Sequence, residues 1–167
     1  MLAALIPGRW RRCFAGVACP MLALVGMLAL VGACAPMPTV SSAVVPPIPP
    51  GMARIWVYRT FLPSETLNMT AVQFNGAYAG FAQMGGAFYR DVPPGIYHVT
   101  VNSYGIDFNQ STNVAVVPGQ QVYIKIESLR SWVECGRRCQ RDTFYAWLIP
   151  TPVARAEIGQ SFYNGGS

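Results

Sequence analysis

The sequence predicts an all-β fold: a small antiparallel β-sandwich of about seven strands, preceded by a signal peptide and a proline-rich tether and followed by a short C-terminal helix. Three observations carry this. Apolar and polar residues alternate at a period of two in several short runs, the mark of half-buried strands. Turn-forming Gly, Pro and Asn residues separate those runs about every ten residues, as in sandwiches. Apolar residues make up 52% of the 167 and charged residues only 11%, so the chain has the material for a core. From Arg54 onward no long helical pattern appears.

The first strand is "RIWVYRTF", beginning at Arg54. Ile55 and Val57 face one way and Trp56 and Tyr58 the other, so both faces are apolar. That fits a central strand, or one covered by another segment. "TAVQFN" and "YAGFAQM" follow, joined by Asn75-Gly76, a strong hairpin signal because both residues tolerate positive φ. Gly85-Gly86 and Pro93-Pro94-Gly95 mark turns. In "IYHVTVNS", Tyr97, Val99 and Val101 point inward while His98, Thr100 and Asn102 point outward. "TNVAVV" is next, and Pro118-Gly119 turns the chain again. "QQVYIKIES" places Val122, Ile124 and Ile126 inward and Tyr123, Lys125 and Glu127 outward. "TFYAWLI" is the last strand. Thr151 at N-cap and Pro152 at the first helical position predict a short helix through Glu157.

Upstream of this domain, "GRWRRCFAGVACPMLALVGMLALVGAC" has a basic start, an apolar centre and small residues at its end, the layout of a secretory signal. The uncharged stretch 13–33 is also long enough, at about 30 Å as a helix, to serve as an uncleaved anchor. Pro20 and the small residues at the end favour cleavage. Val31-Gly32-Ala33-Cys34 resembles the lipobox of bacterial lipoproteins. That resemblance implies cleavage before Cys34, a diacylglycerol thioether on its sulfur and acylation of the new amine. Several chains give stable anchoring where one, at about 0.8 kcal/mol per buried CH₂, is marginal. Ala33-Cys34-Ala35 also fits ordinary signal cleavage, which would yield a soluble periplasmic protein. Arg11-Arg12 partly resembles a twin-arginine signal.

Residues 35–53 contain six prolines and no charge. This composition favours polyproline II, and at ~3.1 Å per residue the stretch could hold a domain up to about 60 Å from its anchor. "PPIPP" could alternatively dock on an aromatic groove. The expected organisation is thus a lipoprotein signal peptide over 1–33, a lipidated Cys34 and tether over 34–53, a β-sandwich over 54–150 and a tail over 151–167.

Within the domain, RIWVYR at 54–59, Asn75-Gly76, Pro94-Gly95-Ile96-Tyr97 and Pro118-Gly119-Gln120 resemble a family of small bacterial lipoproteins of unknown function. Their domain is similar to the carboxypeptidase-regulatory, transthyretin-like β-sandwich. The resemblance spans residues 53–127. It implies a fold and an envelope location, and it carries over no catalytic residues.

The chemistry-bearing residues are few. His98 is the single histidine and points outward. A metal site needs clustered ligands and a hydrolytic triad needs a partnered histidine, and neither pattern is visible. Asp91 and Asp107, which flank His98 in sequence, read as turn formers. There is no phosphate-binding or dinucleotide-binding glycine motif. The dense feature is "WVECGRRCQRD". Cys135 and Cys139 are expected to form a local disulfide in an oxidising compartment, worth about 2 kcal/mol less any strain. A redox motif usually has two intervening residues rather than three. Arg130, Arg137, Arg138 and Arg141, with Trp132 and Tyr145, form a candidate contact patch for an anionic surface or an acidic partner; the plainer reading is a solvated loop balanced by Glu134 and Asp142.

From Cys34 onward, nine Lys/Arg stand against seven Asp/Glu, too small an excess to draw in nucleic acid. The expected function is a lipid-anchored binding or scaffolding module of the bacterial cell envelope, without catalysis or cofactor. Its expected partners are the membrane, through the lipid anchor, and an envelope protein or anionic surface. Ala35 is not the aspartate that usually retains such proteins at the inner membrane, so the resemblance to lipoproteins of bacteria with two membranes implies the periplasmic face of the outer membrane. The alternative is a soluble periplasmic enzyme or thiol-redox protein.

Overall fold

Two stacked β-sheets enclose the main core in the computed structural model, which describes residues 36–103, 110–134 and 138–166, and of residues 130–134 and 138–141 the backbone alone. The strands are β1 (Ala53–Tyr58), β2 (Thr70–Phe74), β3 (Ala77–Ala82), β4 (Gly86–Val92), β5 (Gly95–Val101), β6 (Ser111–Val116), β7 (Gln121–Glu134), β8 (Arg138–Ile149) and β9 (Phe162–Gly166), with one helix among the described residues, α1 (Thr151–Ile158). One sheet has the order β8-β7-β1-β4-β9 and the other β3-β2-β5-β6.

The all-β sandwich is as the alternation predicts, with two corrections. The strands number nine rather than about seven, because β4 and β9 join them. The five-stranded sheet is mixed rather than antiparallel, since β1 runs parallel to β7 and β4 parallel to β9, while the four-stranded sheet is antiparallel throughout. Neighbours joined by a tight hairpin must be antiparallel, but β1 and β7 are separated by an excursion through the other sheet, which leaves their direction free.

β1 is central, as its two apolar faces require. Ile55 and Val57 enter the inter-sheet core with Val72, Val99, Ile124 and Phe144. Trp56 and Tyr58 point to the opposite face, where Ala87, Tyr89, Tyr123, Ala154 and Ile158 form a second cluster under Val40, Val45 and Tyr163. Tyr123, expected outward, is therefore buried, because this face of the sheet is covered by α1 and by chain from both ends.

That cover moves the domain boundaries. Tyr163 N donates to Pro38 O at 2.8 Å, Val40 N donates to Ser161 O at 2.8 Å, and Thr39 bridges Phe162. Arg54 Nη1 donates to Pro46 O at 2.9 Å. Much of the expected tether is thus packed onto the sheet, and the expected tail supplies a helix and a strand. The packed unit runs over Met37–Ser167.

Local details follow the residue chemistry. Asn75 and Gly76 both have positive φ, 51° and 82°, as the right-handed strand twist demands of a two-residue hairpin. α1 begins at Thr151 itself, with Pro150 rather than Thr151 at the cap position and no side-chain cap hydrogen bond. Pro152 lies in the first turn, where a missing N–H costs nothing.

Candidate functional site

The chemistry of β3 and β4 builds a groove at one edge of the sandwich. Gly80 of β3 lies directly against Phe88 of β4: a Cβ there would come within 2.8 Å of the ring. Beside this contact is a groove of about 310 Å³, lined by Met69, Tyr78, Phe81, Gln83, Arg90 and Asn164. Tyr78 and Phe81 are 59% and 53% exposed and meet edge-on with centroids 5.4 Å apart. The Arg90 guanidinium lies 5.4 Å from the Phe88 ring centroid, and its Nη1 donates to Tyr89 O at 3.0 Å. The groove thus combines aromatic faces with the two amides of Gln83 and Asn164 and one cation.

β3 is also a sheet edge. It pairs with β2 on one side and with no strand on the other among the described residues. Its sequence, AYAGFA, has no charge and no proline, the usual devices that stop an edge from recruiting another strand. The β6 edge differs, because β8 lies across β5 and β6.

A buried polar clamp fixes the loop that brings Met69 to the groove. Arg59 is fully buried and donates to Asn68 O and Thr66 O at 2.8 Å, and to Glu65 Oε2 and Ser128 Oγ at 3.1 Å. Ser128 Oγ in turn donates to Glu65 Oε2 at 3.1 Å. Thr66 Oγ1 and Asn68 Nδ2 donate to Asp142 Oδ2 at 2.7 and 2.6 Å. A serine beside a carboxylate suggests a nucleophile and its base. Here both are buried under Arg59 and the loop backbone, so the set holds structure rather than presents chemistry. The sequence signal that could have found it is a lone arginine directly following a two-faced apolar strand.

On the covered face, Tyr58 Oη donates to Glu157 Oε2 at 2.8 Å and Lys125 Nζ to Glu157 Oε1 at 3.1 Å. Burial and the Glu157 hydrogen bond raise the Tyr58 pKa far above the usual phenol range. Burial opposes the charge on Lys125, but Glu157 and Glu127 outweigh it and raise its pKa.

The residues singled out in the sequence are distributed as follows. His98 is exposed, with Nδ1 2.8 Å from Asn113 Oδ1. No group of three His, Cys, Asp or Glu able to hold a metal occurs among the described residues. Tyr145 lies half-buried on β8, its ring stacked near Trp147 at 6.4 Å. The β7–β8 ladder sets Arg130 opposite Asp142, Ser131 opposite Arg141, Trp132 opposite Gln140, Val133 opposite Cys139 and Glu134 opposite Arg138. The side chains of Arg130, Trp132, Arg138, Cys139 and Arg141 lie outside the described set, as do Cys34, Cys135 and Arg137 altogether. The contact patch, Tyr145 apart, and the disulfide therefore lie outside the described side chains. In comparisons with known proteins, no family model and no curated sequence matches the chain.

Proposed function

We propose that this protein is a non-catalytic binding module of the bacterial cell envelope, held by lipid on Cys34 at the periplasmic face of the outer membrane, which receives an extended segment of another envelope protein along β3. The observation that carries the binding role is the uncharged β3 edge beside the groove of Tyr78, Phe81 and Arg90. An extended peptide adds hydrogen bonds to a free strand edge, and side-chain pockets beside the edge supply selectivity. The lipobox-like Val31-Gly32-Ala33-Cys34 supports the anchor.

Photo-crosslinking in intact cells tests the binding role. A benzophenone amino acid at position 78 or 81 should capture a discrete envelope protein, and the same group at His98 should not. Equal or absent capture at the two places would refute a docking edge at β3. Cys34→Ser tests the anchor: it should release the protein into the soluble periplasm or stall it as uncleaved precursor.

A further inference from the structure

Four uncharged stretches of the chain converge on one corner of the fold. Residues 37–46, 60–64, 84–88 and 161–166 carry no ionisable acid or base other than Tyr163. Phe162 N donates to Gly85 O at 2.7 Å, and Arg59 N donates to Gly86 O at 3.0 Å. Outward from the Gly85 Cα, the Phe162 ring lies 3.6 Å and the Phe61 Cβ 3.8 Å from where a Cβ would sit. The two phenylalanines therefore flank Gly85. Phe61 is 68% exposed, and Leu62 and Phe162 are each 40% exposed.

This corner is also where the chain enters the packed unit. Pro38 O is held by Tyr163 N, and Thr39 bridges Phe162. Only Ala35, Pro36 and Met37 separate Pro38 from Cys34. Four residue steps span at most about 14 Å, far short of the reach that a nineteen-residue tether would allow.

We propose that the domain rests directly on the lipid surface that carries its anchor, with Phe61, Leu62 and Phe162 inserted among the phospholipid headgroups. This inference rests on the acylation of Cys34 proposed above. A short leash keeps the corner within headgroup reach of the bilayer. Exposed aromatics without neighbouring charge gain by entering the interface, where an aromatic ring meets both apolar and polar surroundings. The patch is neutral, so its insertion is driven by apolar burial and not by attraction to anionic lipid. Gly86 N donates to Gln83 O at 3.0 Å, which joins this corner to the groove. The groove therefore adjoins the inserted corner.

Hydrogen–deuterium exchange on protein purified from membranes and reconstituted in phosphatidylethanolamine–phosphatidylglycerol vesicles tests this, with secreted Cys34→Ser protein as the lipid-free reference. Exchange at Phe61, Leu62 and Phe162 should slow about tenfold in vesicles, while β5 and β6 stay unchanged. Raising the salt concentration should leave the protection in place. The variant Phe61→Ser/Leu62→Ser should lose the protection yet remain vesicle-bound through its acyl chains, with β1 exchange showing an intact fold. Intact mass separates the two ways of failing. An unacylated chain removes the anchor and this inference together. An acylated chain whose corner exchanges equally fast with and without vesicles keeps the anchor and overturns the inference. Protection that appears only when envelope proteins are added also overturns it, by assigning the corner to a protein partner.

Discussion

Arg54 grips Asp91 with two parallel hydrogen bonds, from Nε at 2.7 Å and Nη2 at 2.8 Å, on adjacent strands of the same sheet. The pair sits at positions directly opposite in the β1–β4 ladder. The guanidinium also lies 3.9 Å from the Tyr89 ring centroid, so one side chain satisfies a carboxylate, a carbonyl and an aromatic face together. Lysine offers a point charge without the planar fork. Arg54→Lys keeps the charge but cannot make both bonds, and should therefore destabilise the protein by about 1.5–3 kcal/mol, the worth of one lost charge-assisted hydrogen bond. Urea denaturation read by tryptophan fluorescence measures it, and a change below about 0.5 kcal/mol would refute the role.

Gly80 is required for the close approach of β3 to β4. Gly80→Ala places a Cβ 2.8 Å from the Phe88 ring and should cost about 1–3 kcal/mol by overpacking. Adding Phe88→Leu should recover part of the loss by making room. Melting temperatures of the single and double variants decide this, and strict additivity of the two losses would contradict it.

Buried Tyr58 and half-buried Tyr163 should make the protein sensitive to alkali. Burial, reinforced by the Tyr89 hydrogen bond, pushes the Tyr163 pKa up to about 12 from an ordinary 10.0, against the opposing charge of Arg54. Tyr58 is raised further. As pH rises past 10, the unfolded chain loses these protons before the folded one does. Folding stability is thus fully present below pH 10 and falls between pH 10 and 12. Tyr163→Phe should flatten that fall. Thermal melts between pH 9 and 11.5 compare the slopes, and parallel curves for wild type and variant would rule out Tyr163 as a source.

A fragment of residues 54–150 should not fold as an independent unit. It lacks Val40, Val45, Ala154, Ile158 and Tyr163, and so bares Trp56, Tyr58 and Tyr89. The fragment 37–167 should give a β-type circular dichroism spectrum and a cooperative melt. An equally cooperative melt from 54–150 would show that the second cluster is dispensable.

The parts of the fold legible in the sequence are those set by local pattern. The two-sided apolar run of β1 announces a central strand, and the alternation in β5 and β7 places Val99, Val101, Ile124 and Ile126 in the core. Asn75-Gly76 announces its turn. The rest depends on distant chain. GAFYRDV reads ambiguously, because β4 opens on glycine, buries both faces in its first half and carries near its end two charges, of which Asp91 is matched by Arg54 of β1. FYNGG has little strand propensity, and β9 exists because β4 offers it an edge. The proline-rich segment looks like a spacer until the aromatic face it covers is known. The candidate site was the least legible part. Tyr78 and Phe81 read as ordinary strand residues, and only the position of β3 at an edge, over β4, makes them a groove.

The seam between Pro38–Thr39 and Phe162–Tyr163 has a consequence for the order in which the protein matures. The chain is synthesised from its amino end, so Thr39 appears long before its partner. The β1–β7 pairing has the same lag, and Trp56 waits for α1 as well. A half-emerged chain has a central strand without one neighbour and an aromatic face without its lid. Final closure of the seam therefore waits for the last strand to arrive, whatever the rate of any local step.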